Sequence, residues 1–196
     1  MGLTGAHAPG ATPLEPDDIV GLIPAHVTTQ GQLNEFEESN ILKARLWLRR
    51  LRARRDPFDF SFALELHRRM FGDIWTWAGT LRRRETNIGV AAERIAVQLK
   101  QLLENTRVRM DSEPNAIEQI ATELHHKLVS IHPFVNGNGR HARMLTDAVL
   151  EAKGRKSFSW GQNSVEKAGP VRGAYISALQ AADRGDYAPL SKFVRT

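Results

Sequence analysis

The sequence predicts an all-α fold in a single domain. Apolar residues recur at helical spacing in successive segments of the chain, and proline or glycine residues end most of these segments. With 196 residues, a mass of 22.0 kDa and 41% hydrophobic residues, the chain is large enough for one continuous core with a cleft in it. No internal repeat or low-complexity tract indicates a different architecture.

The first half of the chain predicts an arm followed by two helices. Residues 1–24 are rich in glycine, proline, alanine and aspartate, which favours an extended arm over a helix. The domain proper is expected to span residues 25–196. Apolar positions from Leu33 to Leu51 predict the first helix, which stops before Asp56-Pro57, and the segment Phe60–Phe71 predicts the second.

The second half predicts further helices around one glycine-rich loop. A helix after Ser112-Glu113-Pro114 ends at His132-Pro133, because proline disfavours helical geometry in the residue before it. Gly154 stops the helix that follows the loop. The apolar faces of these helices are Ile95–Thr106, Ile117–Ile131, Met144–Ala152 and Tyr175–Ala182, with a short turn at Leu190–Val194. Two buried helices therefore flank the loop 132–139.

Composition excludes several classes of protein. The chain has no cysteine, which rules out disulfides, thiolate metal sites and a cysteine nucleophile, and which fits the cytoplasm. Its first residues lack the basic start and apolar stretch of a signal peptide, and no window has the apolar length of a membrane span. The net charge of +5 and a pI near 9.9 favour partners that carry phosphate, but such an excess also occurs on solvated faces.

The loop between the two buried helices has the composition of an anion site. It reads His132-Pro133-Phe134-Val135-Asn136-Gly137-Asn138-Gly139-Arg140, and Arg143 follows one helical turn later. Glycines allow close approach of the backbone, so Gly137, Asn138 and Gly139 can turn their N–H groups toward one phosphate at a helix N-terminus. Arg140 and Arg143 share one side of the helix, and each can donate two hydrogen bonds to phosphate oxygens.

His132 stands at the mouth of this loop and is the candidate general base. An imidazole with a near-neutral pKa can take the proton of a hydroxyl while that hydroxyl attacks phosphorus. The alternative is a glycine-rich turn capped by a buried histidine and flanked by surface arginines, which a bare pair of glycines would favour. The length of the specified stretch favours a nucleotide site instead.

The same stretch resembles the signature of the Fic family, which is histidine-proline-phenylalanine, two residues, glycine-asparagine-glycine-arginine and a second arginine three positions later. Further resemblance lies in the segment Phe71–Gly79, which is similar to the chain before the family's target-docking flap. The segments Leu33–Glu37 and Asn40-Ile41 resemble the mobile mystery protein B branch of the family. The resemblance covers roughly Asp17 to Trp160.

The resemblance implies a single Fic-type helical domain with a short β-hairpin flap, containing Thr86, Asn87, Ile88 and Gly89. It implies transfer of AMP from ATP to a serine, threonine or tyrosine hydroxyl of a target protein, with His132 as base. Gly137, Asn138 and Gly139 would form the cradle for the phosphates, with Asn138 helping to hold the α-phosphate. Arg140 and Arg143 would bind the β- and γ-phosphates. Phe134 would pack into the core and fix the loop.

One position departs from the family pattern and concerns the metal. The acidic residue that usually binds magnesium is here Asn136. An amide oxygen can still ligate Mg²⁺ or Mn²⁺, but the loss of a negative charge should weaken the metal site.

Two other activities remain open. One is phosphate transfer, as in the Doc branch, although Doc-like loops depart from the signature at the positions of Gly137 and Arg140, which are intact here. The other is a catalytically silent module that binds a nucleotide or a nucleic acid. The arginines of the two basic runs are expected to lie on solvated faces or in local ion pairs, which makes nucleic acid the less favoured partner. They are Arg49, Arg50, Arg52, Arg54 and Arg55 in the first run and Arg82, Arg83 and Arg84 in the second.

The resemblance also raises the question of inhibition. Many Fic proteins are held inactive by a helix whose glutamate pairs with the second motif arginine, and the branch suggests a helix-turn-helix or inhibitory partner protein. The usual inhibitory motif is not found, and Glu37 and Glu38 are expected to be surface residues.

His125 and His126 lack the spacing of zinc ligands and are expected to serve packing.

Overall fold

The fold was analysed in a computed structural model, which describes residues 16–51, 55–161, 165 and 169–196. Eight α-helices follow one another in the described residues: α1 Pro16–Ile19, α2 Gln30–Leu51, α3 Phe60–Phe71, α4 Ile95–Ser112, α5 Ile117–Ile131, α6 Asn138–Ala152, α7 Pro170–Asp183 and α8 Ala188–Phe193. A 3-10 turn, Ala92–Arg94, precedes α4. None of the helices in these ranges combines the length and hydrophobicity of a membrane span.

The prediction of an all-α fold is confirmed. Helix α3 has the predicted bounds, and α2 begins three residues before the predicted start and ends at Leu51 as predicted. Helix α5 packs between α4 and α6, α2 packs on α3, and α7 packs on α8. Because α3 also contacts α6, the pair α2 and α3 belongs to the same core as the two helices that flank the glycine-rich loop.

The ends of α5 and α6 fix the loop that carries the motif. The buried face of α5 includes Ile120, Leu124 and Leu128, which anchor the helix in the core. His132 caps α5 in the left-handed conformation with φ 53°, and Gly137 begins α6 with φ 76°. Two left-handed residues therefore turn the chain sharply between the two helices. Pro133 predicts the end of α5 and the glycines predict the positive φ of Gly137, but the left-handed conformation of His132 was not predicted, because proline favours an extended residue before it.

The described part of the N-terminal arm differs from the predicted extended chain. Residues 1–15 lie outside the described ranges, while Pro16–Ile19 form one helical turn with proline at its first position, where a proline is well tolerated. After this turn, Leu22 pairs with Trp75 in an isolated antiparallel bridge, and Ile23 N donates to Ile74 O at 2.8 Å. Residues 16–24 are thus attached to the domain.

The predicted β-hairpin flap is not seen in the described residues, where residues 81–90 form bends and no strand. The reason lies in where their backbone hydrogen bonds go. Arg82 N donates to Pro133 O at 3.0 Å and Val90 N donates to Ile131 O at 3.3 Å, so both arms of the segment bind the motif loop. A hairpin would need these arms to bind each other.

Candidate functional site

The backbone of the motif loop is held by packing at Gly137 and by hydrogen bonds from Asn138. A Cβ atom at Gly137 would lie 2.6 Å from the Phe71 ring, and its φ of 76° suits glycine, so no larger residue fits. The Asn138 side chain is buried: its Oδ1 accepts from Phe134 N at 2.9 Å and its Nδ2 donates to Phe134 O at 2.8 Å. Any contact of Asn138 with a phosphate would therefore come mainly from its backbone N–H.

A second set of contacts supports the loop from α3. The Phe134 ring is fully buried and stacks on His67 with 3.7 Å between ring centroids, which confirms that Phe134 packs into the core. Gly79 N donates to His67 Nδ1 at 2.9 Å, so His67 Nε2 carries the hydrogen and donates to Asn136 O at 3.0 Å. Neutral His67 thus connects α3, the chain at residue 79 and the loop.

His132 is buried at the C-terminal end of α5. Its Nδ1 lies 3.3 Å from the carbonyl of Val129, which can only accept, so Nδ1 is the protonated nitrogen and Nε2 carries the lone pair. Burial lowers the pKa of His132 to about 4, the Val129 carbonyl opposes this shift, and the nearby Arg82 cation adds to it. The ring is therefore neutral at pH 7 and can accept a proton.

Arg140 is half-buried and forms an ion pair that the sequence did not predict. Arg140 Nη1 lies 2.6 Å from Glu37 Oε2, while Glu37 Oε1 accepts from Trp75 Nε1 at 3.0 Å. The expectation that Glu37 is a surface residue is wrong, because its side chain is only 7% exposed. Glu38, the next residue, is exposed as expected. Glu37 thus places a carboxylate on the guanidinium that is predicted to bind phosphate.

Arg143 lies one turn further along α6 and beside Gly139. Its Nη1 would be 3.8 Å from a Cβ atom at Gly139, and its guanidinium lies 5.7 Å from the centroid of the Tyr175 ring. The Tyr175 hydroxyl in turn bonds His125 Nε2 at 2.9 Å. Arg143 therefore lies close to the first turn of α6, where the N–H groups have no partner within the helix.

The predicted metal position offers a single neutral oxygen. Asn136 Oδ1 accepts a hydrogen bond from Gly137 N at 2.6 Å. Within the described ranges, no group of three or more histidine or carboxylate side chains could hold a metal ion. Proteins usually bind magnesium through one or two carboxylates together with waters and substrate phosphates.

The predicted flap residues Thr86–Gly89 follow the second basic run, and the flap segment (residues 84–90) is partly exposed. Thr86 Oγ1 donates to Ile88 O, and Asn87 and Gly89 are exposed. Arg82 has a local ion pair with Glu85, which is one of the two expected surroundings, but its side chain is fully buried and does not lie on a solvated face. Arg83 is exposed as expected, and Arg84 forms an ion pair with Asp18.

The other arginines of the first basic run are exposed where they are described, and His125 and His126 make packing contacts. Arg49, Arg50 and Arg55 are exposed, and Arg52 and Arg54 lie outside the described residues. His125 is buried beside Trp160 and Tyr175. His126 bonds Tyr187 Oη at 3.0 Å and Asp183 Oδ1 at 2.8 Å, which is a structural contact and agrees with the packing role predicted for this pair.

Buried neutral histidines make the domain sensitive to acid. Burial lowers the pKa of His125 to about 3 and of His132 and His141 to about 4, and it holds the pKa of His67 well below 6.5. In the unfolded chain these rings bind protons near pH 6.5, so stability falls as the pH drops below that value. Burial raises the pKa of Asp147 to about 6, so this carboxyl takes up its proton in the folded state and opposes the effect.

We expect the free energy of unfolding to fall by several kcal/mol between pH 6.5 and 4, since each such histidine contributes roughly 1.4 kcal/mol per pH unit. Urea unfolding at a series of pH values measures this. Asp147→Asn removes the opposing group and should steepen the decline, whereas His125→Gln should make it shallower. A free energy of unfolding that stays constant across this range would contradict the expectation.

Sequence reasoning missed Glu37, His67 and Arg82. A signal existed for Glu37, because it shares a helical face with Leu33, Asn40 and Ala44, all of them buried, and a buried glutamate needs a partner. His67 likewise lies on the buried face of α3. No comparable signal marked Arg82 among three consecutive arginines.

The comparisons with known proteins concern the family and the fold. The Fic/DOC family model matches residues 57–150. Protein adenylyltransferase fic-1 of Caenorhabditis elegans is 32% identical over 146 residues, which are 71% of this chain and 27% of that protein. The chain thus spans about a quarter of the length of the curated relatives it matches.

Solved structures show the same fold. The structure of Fic-1 from C. elegans superposes with a TM-score of 0.64 at 27% identity, over 89% of this chain and 50% of that one. The BepC protein of Bartonella tribocorum, a VirB-translocated effector solved with bound AMPPNP, gives a TM-score of 0.67 at 18% identity, over 88% of this chain and 89% of that one. Residues 57–150 of this chain therefore form a Fic/DOC family domain.

Proposed function

We propose that this chain is an ATP-dependent protein adenylyltransferase, which transfers AMP to a serine, threonine or tyrosine hydroxyl of a target protein. The observation that carries the proposal is the loop between α5 and α6, which joins a buried neutral histidine to a glycine-lined helix N-terminus. The relatives named protein adenylyltransferase, at 30–34% identity, support the same activity.

The proposed reaction follows from this arrangement. The α-phosphate of ATP binds at the N-terminus of α6, where unpaired N–H groups and the helix dipole favour an anion. The target oxygen attacks the α-phosphorus, the bond to the bridging oxygen of the β-phosphate breaks, and pyrophosphate leaves. His132 Nε2 takes the proton of the attacking hydroxyl. Phosphoryl-type transfer depends mainly on such positioning and charge neutralisation, which the loop and the two motif arginines supply.

In this proposal, the binding of a metal ion depends mainly on bound ATP. With Asn136 in place of an acid, Mg²⁺ or Mn²⁺ would bind mostly through the phosphates, and Asn136 Oδ1, which also accepts a hydrogen bond from Gly137 N, would add at most one neutral ligand.

Mass spectrometry with labelled ATP tests the activity. The purified chain is incubated with a lysate and with magnesium or manganese, and AMP adducts are sought on the lysate proteins and on the chain itself. An adduct that needs His132 supports the proposal. No adduct on any protein under both metals would contradict it.

A Doc-like phosphate transfer is the first alternative. It differs from AMP transfer in which end of ATP faces the hydroxyl, so the mass of the adduct separates the two. Gly137 at its tight contact with Phe71 and Arg140 at the helix start are both intact, which supports the AMP orientation.

A catalytically silent module is the second alternative, and Asn136 is the observation that favours it. Such a module would bind ATP in calorimetry without turnover, and Asn136→Asp, which restores an acid, would leave it inactive. For an enzyme with a weakened metal site, the same substitution should lower the magnesium concentration needed for half-maximal rate. Salt-dependent DNA binding would reveal a nucleic-acid partner.

Arg143→Ala is expected to weaken ATP binding by roughly ten- to a hundredfold, because a hydrogen bond between charged groups contributes about 1.5–3 kcal/mol. If Arg143 binds the γ-phosphate, ADP should lose less affinity than ATP, and Arg143→Lys should recover only part, since lysine lacks the planar fork. Calorimetry with both nucleotides measures this. Arg155→Ala, at an exposed arginine outside the loop, is the control. Equal losses for ADP and ATP would mean that Arg143 does not contact the γ-phosphate.

Three finer assignments belong to the same proposal. The segments Leu33–Glu37 and Asn40-Ile41 support membership of the mobile mystery protein B branch, and with it a helix-turn-helix or inhibitory partner protein. The partly exposed residues Thr86–Gly89 would dock an extended segment of the target by backbone pairing. A chain without cysteine suits the cytoplasm, which is the compartment we assign.

A further inference from the structure

Arg82 occupies the junction between the motif loop and the flap segment. Its guanidinium is fully buried, and its hydrogen bonds reach carbonyl groups on both sides of the junction. On the loop side, Nε donates to His132 O at 2.7 Å and Nη2 to Ile131 O at 3.4 Å. On the flap side, Nη1 donates to Arg84 O at 2.8 Å and Nη2 to Val90 O. One side chain therefore binds both segments.

The charge of Arg82 is held almost entirely by these carbonyl dipoles. The carboxylate paired with it in the described residues belongs to the exposed Glu85, 3.9 Å away. Burying a cation without a close counter-ion is costly, and a neutral side chain of similar size would fill the same space at lower cost. What arginine adds over such a side chain is several donors in a fixed planar fork. This indicates that the directions of the bonds matter here, and not packing alone.

The backbone at His132 needs such support. A non-glycine residue in the left-handed region is strained, and His132 has φ 53°. Its N–H donates to Leu128 O at 3.2 Å and its carbonyl accepts from Arg82, so both of its backbone groups are fixed. The direction of the His132 ring follows from this backbone conformation.

Gly89 brings the flap segment into direct contact with the same two side chains. A Cβ atom at Gly89 would lie 2.4 Å from Arg82 Nη2 and 2.9 Å from His132 Cβ, and the φ of 128° also suits glycine. The segment can therefore approach the base this closely only with glycine at this position.

We propose that Arg82 is a positioning residue, which fixes the backbone of His132 and holds the flap segment at a set distance from it. The inference rests on the proposed AMP transfer, because the target hydroxyl must then be presented to His132 Nε2. Arg82 touches neither the glycines of the loop nor the motif arginines in the contacts above, so it should act on the reaction step more than on ATP binding.

The test compares Arg82→Gln, Arg82→Lys and Gly89→Ala with the control Arg83→Gln, at an exposed neighbour. In Arg82→Gln and Gly89→Ala we expect kcat for AMP transfer to fall by up to about 10²-fold, the loss typical of small misplacements of a reacting group. The Kd for ATP in calorimetry should stay close to that of the wild type. Arg82→Lys should recover part of kcat, because one ammonium replaces some of the donors.

Amide hydrogen exchange gives a readout that needs no reaction. Val90 N bonds Ile131 O across the junction, so its exchange should become faster in Arg82→Gln and stay unchanged in Arg83→Gln. If the wild type transfers no AMP, the proposed function fails, and this exchange measurement alone decides the role of Arg82. If Arg82→Gln does not fold, Arg82→Lys and Gly89→Ala provide the same comparison. Unchanged Val90 exchange, or ATP affinity that falls in parallel with kcat, would overturn the proposal.

Discussion

Replacing His132 with alanine is expected to lower AMP transfer by about 10²–10⁴-fold, the usual contribution of a general base. ATP binding should persist, because the N-terminus of α6 and the two motif arginines remain. Transfer rates at saturating ATP and calorimetry with ATP measure the two quantities separately. A loss below roughly tenfold would assign the proton to another group. Because the ring is buried, melting of the variant must show that it is folded.

The pH dependence of the wild type gives an independent check on the same residue. In the protein alone the pKa of His132 is lowered to about 4, and the negative phosphates of bound ATP should raise it again. The acidic limb of kcat/KM reports the unliganded protein and that of kcat the ATP complex. The limb for kcat should therefore lie at the higher pH. Both limbs should disappear from the residual activity of His132→Ala.

The helices were predictable because their apolar spacing is regular. Phe60–Phe71 has the predicted bounds, since the Asp56-Pro57 pair and Gly72 mark its surroundings in the sequence. The loop was predictable for a different reason: its residues form a continuous stretch, Pro133 marks the end of α5, and Gly137 allows the positive φ at the start of α6. The left-handed conformation of His132 was not predictable in this way, because proline favours an extended residue before it.

The interactions that cross the fold were not predictable from local patterns. The ion pair of Glu37 joins residues 103 positions apart, and the Arg82 contact with His132 spans 50. The helical face of Glu37 could have marked it as buried, but no local pattern pairs it with Arg140 or directs Arg82 to the carbonyl of His132. The missing hairpin has the same origin, because the backbone N–H groups of Arg82 and Val90 bond the distant carbonyls of Pro133 and Ile131 and do not pair the two arms with each other.

The ion pair between Glu37 and Arg140 leads to the second large expected effect. Replacing Glu37 with glutamine should tighten ATP binding by roughly ten- to a hundredfold. A carboxylate beside a phosphate repels it by several kcal/mol at most, about 4 kcal/mol for unit charges 4 Å apart at an effective dielectric constant near 20. It also occupies Arg140 Nη1, which ATP would otherwise bind. Glutamine keeps the volume and can still accept from Trp75 Nε1.

The same substitution should cost stability. Half-buried Arg140 loses the charge of its buried partner, and we expect the free energy of unfolding to fall by about 1–3 kcal/mol, the cost of an imperfectly satisfied polar group. Opposite signs for stability and ATP affinity would show that Glu37 serves the resting fold at the expense of phosphate binding. Glu38→Gln, at the exposed neighbour on α2, should change neither quantity.

Nucleotides of different length identify the phosphate concerned. If Arg140 binds the β-phosphate, Glu37→Gln should tighten ADP and ATP by similar factors and leave AMP unchanged, because AMP has no β-phosphate. A gain for ATP alone would place Arg140 at the γ-phosphate and exchange the roles assigned to Arg140 and Arg143. Calorimetric titration of the wild type, Glu37→Gln and Glu38→Gln with the three nucleotides separates these outcomes. Equal ATP affinity in all three proteins would mean that the carboxylate of Glu37 does not compete with bound phosphate.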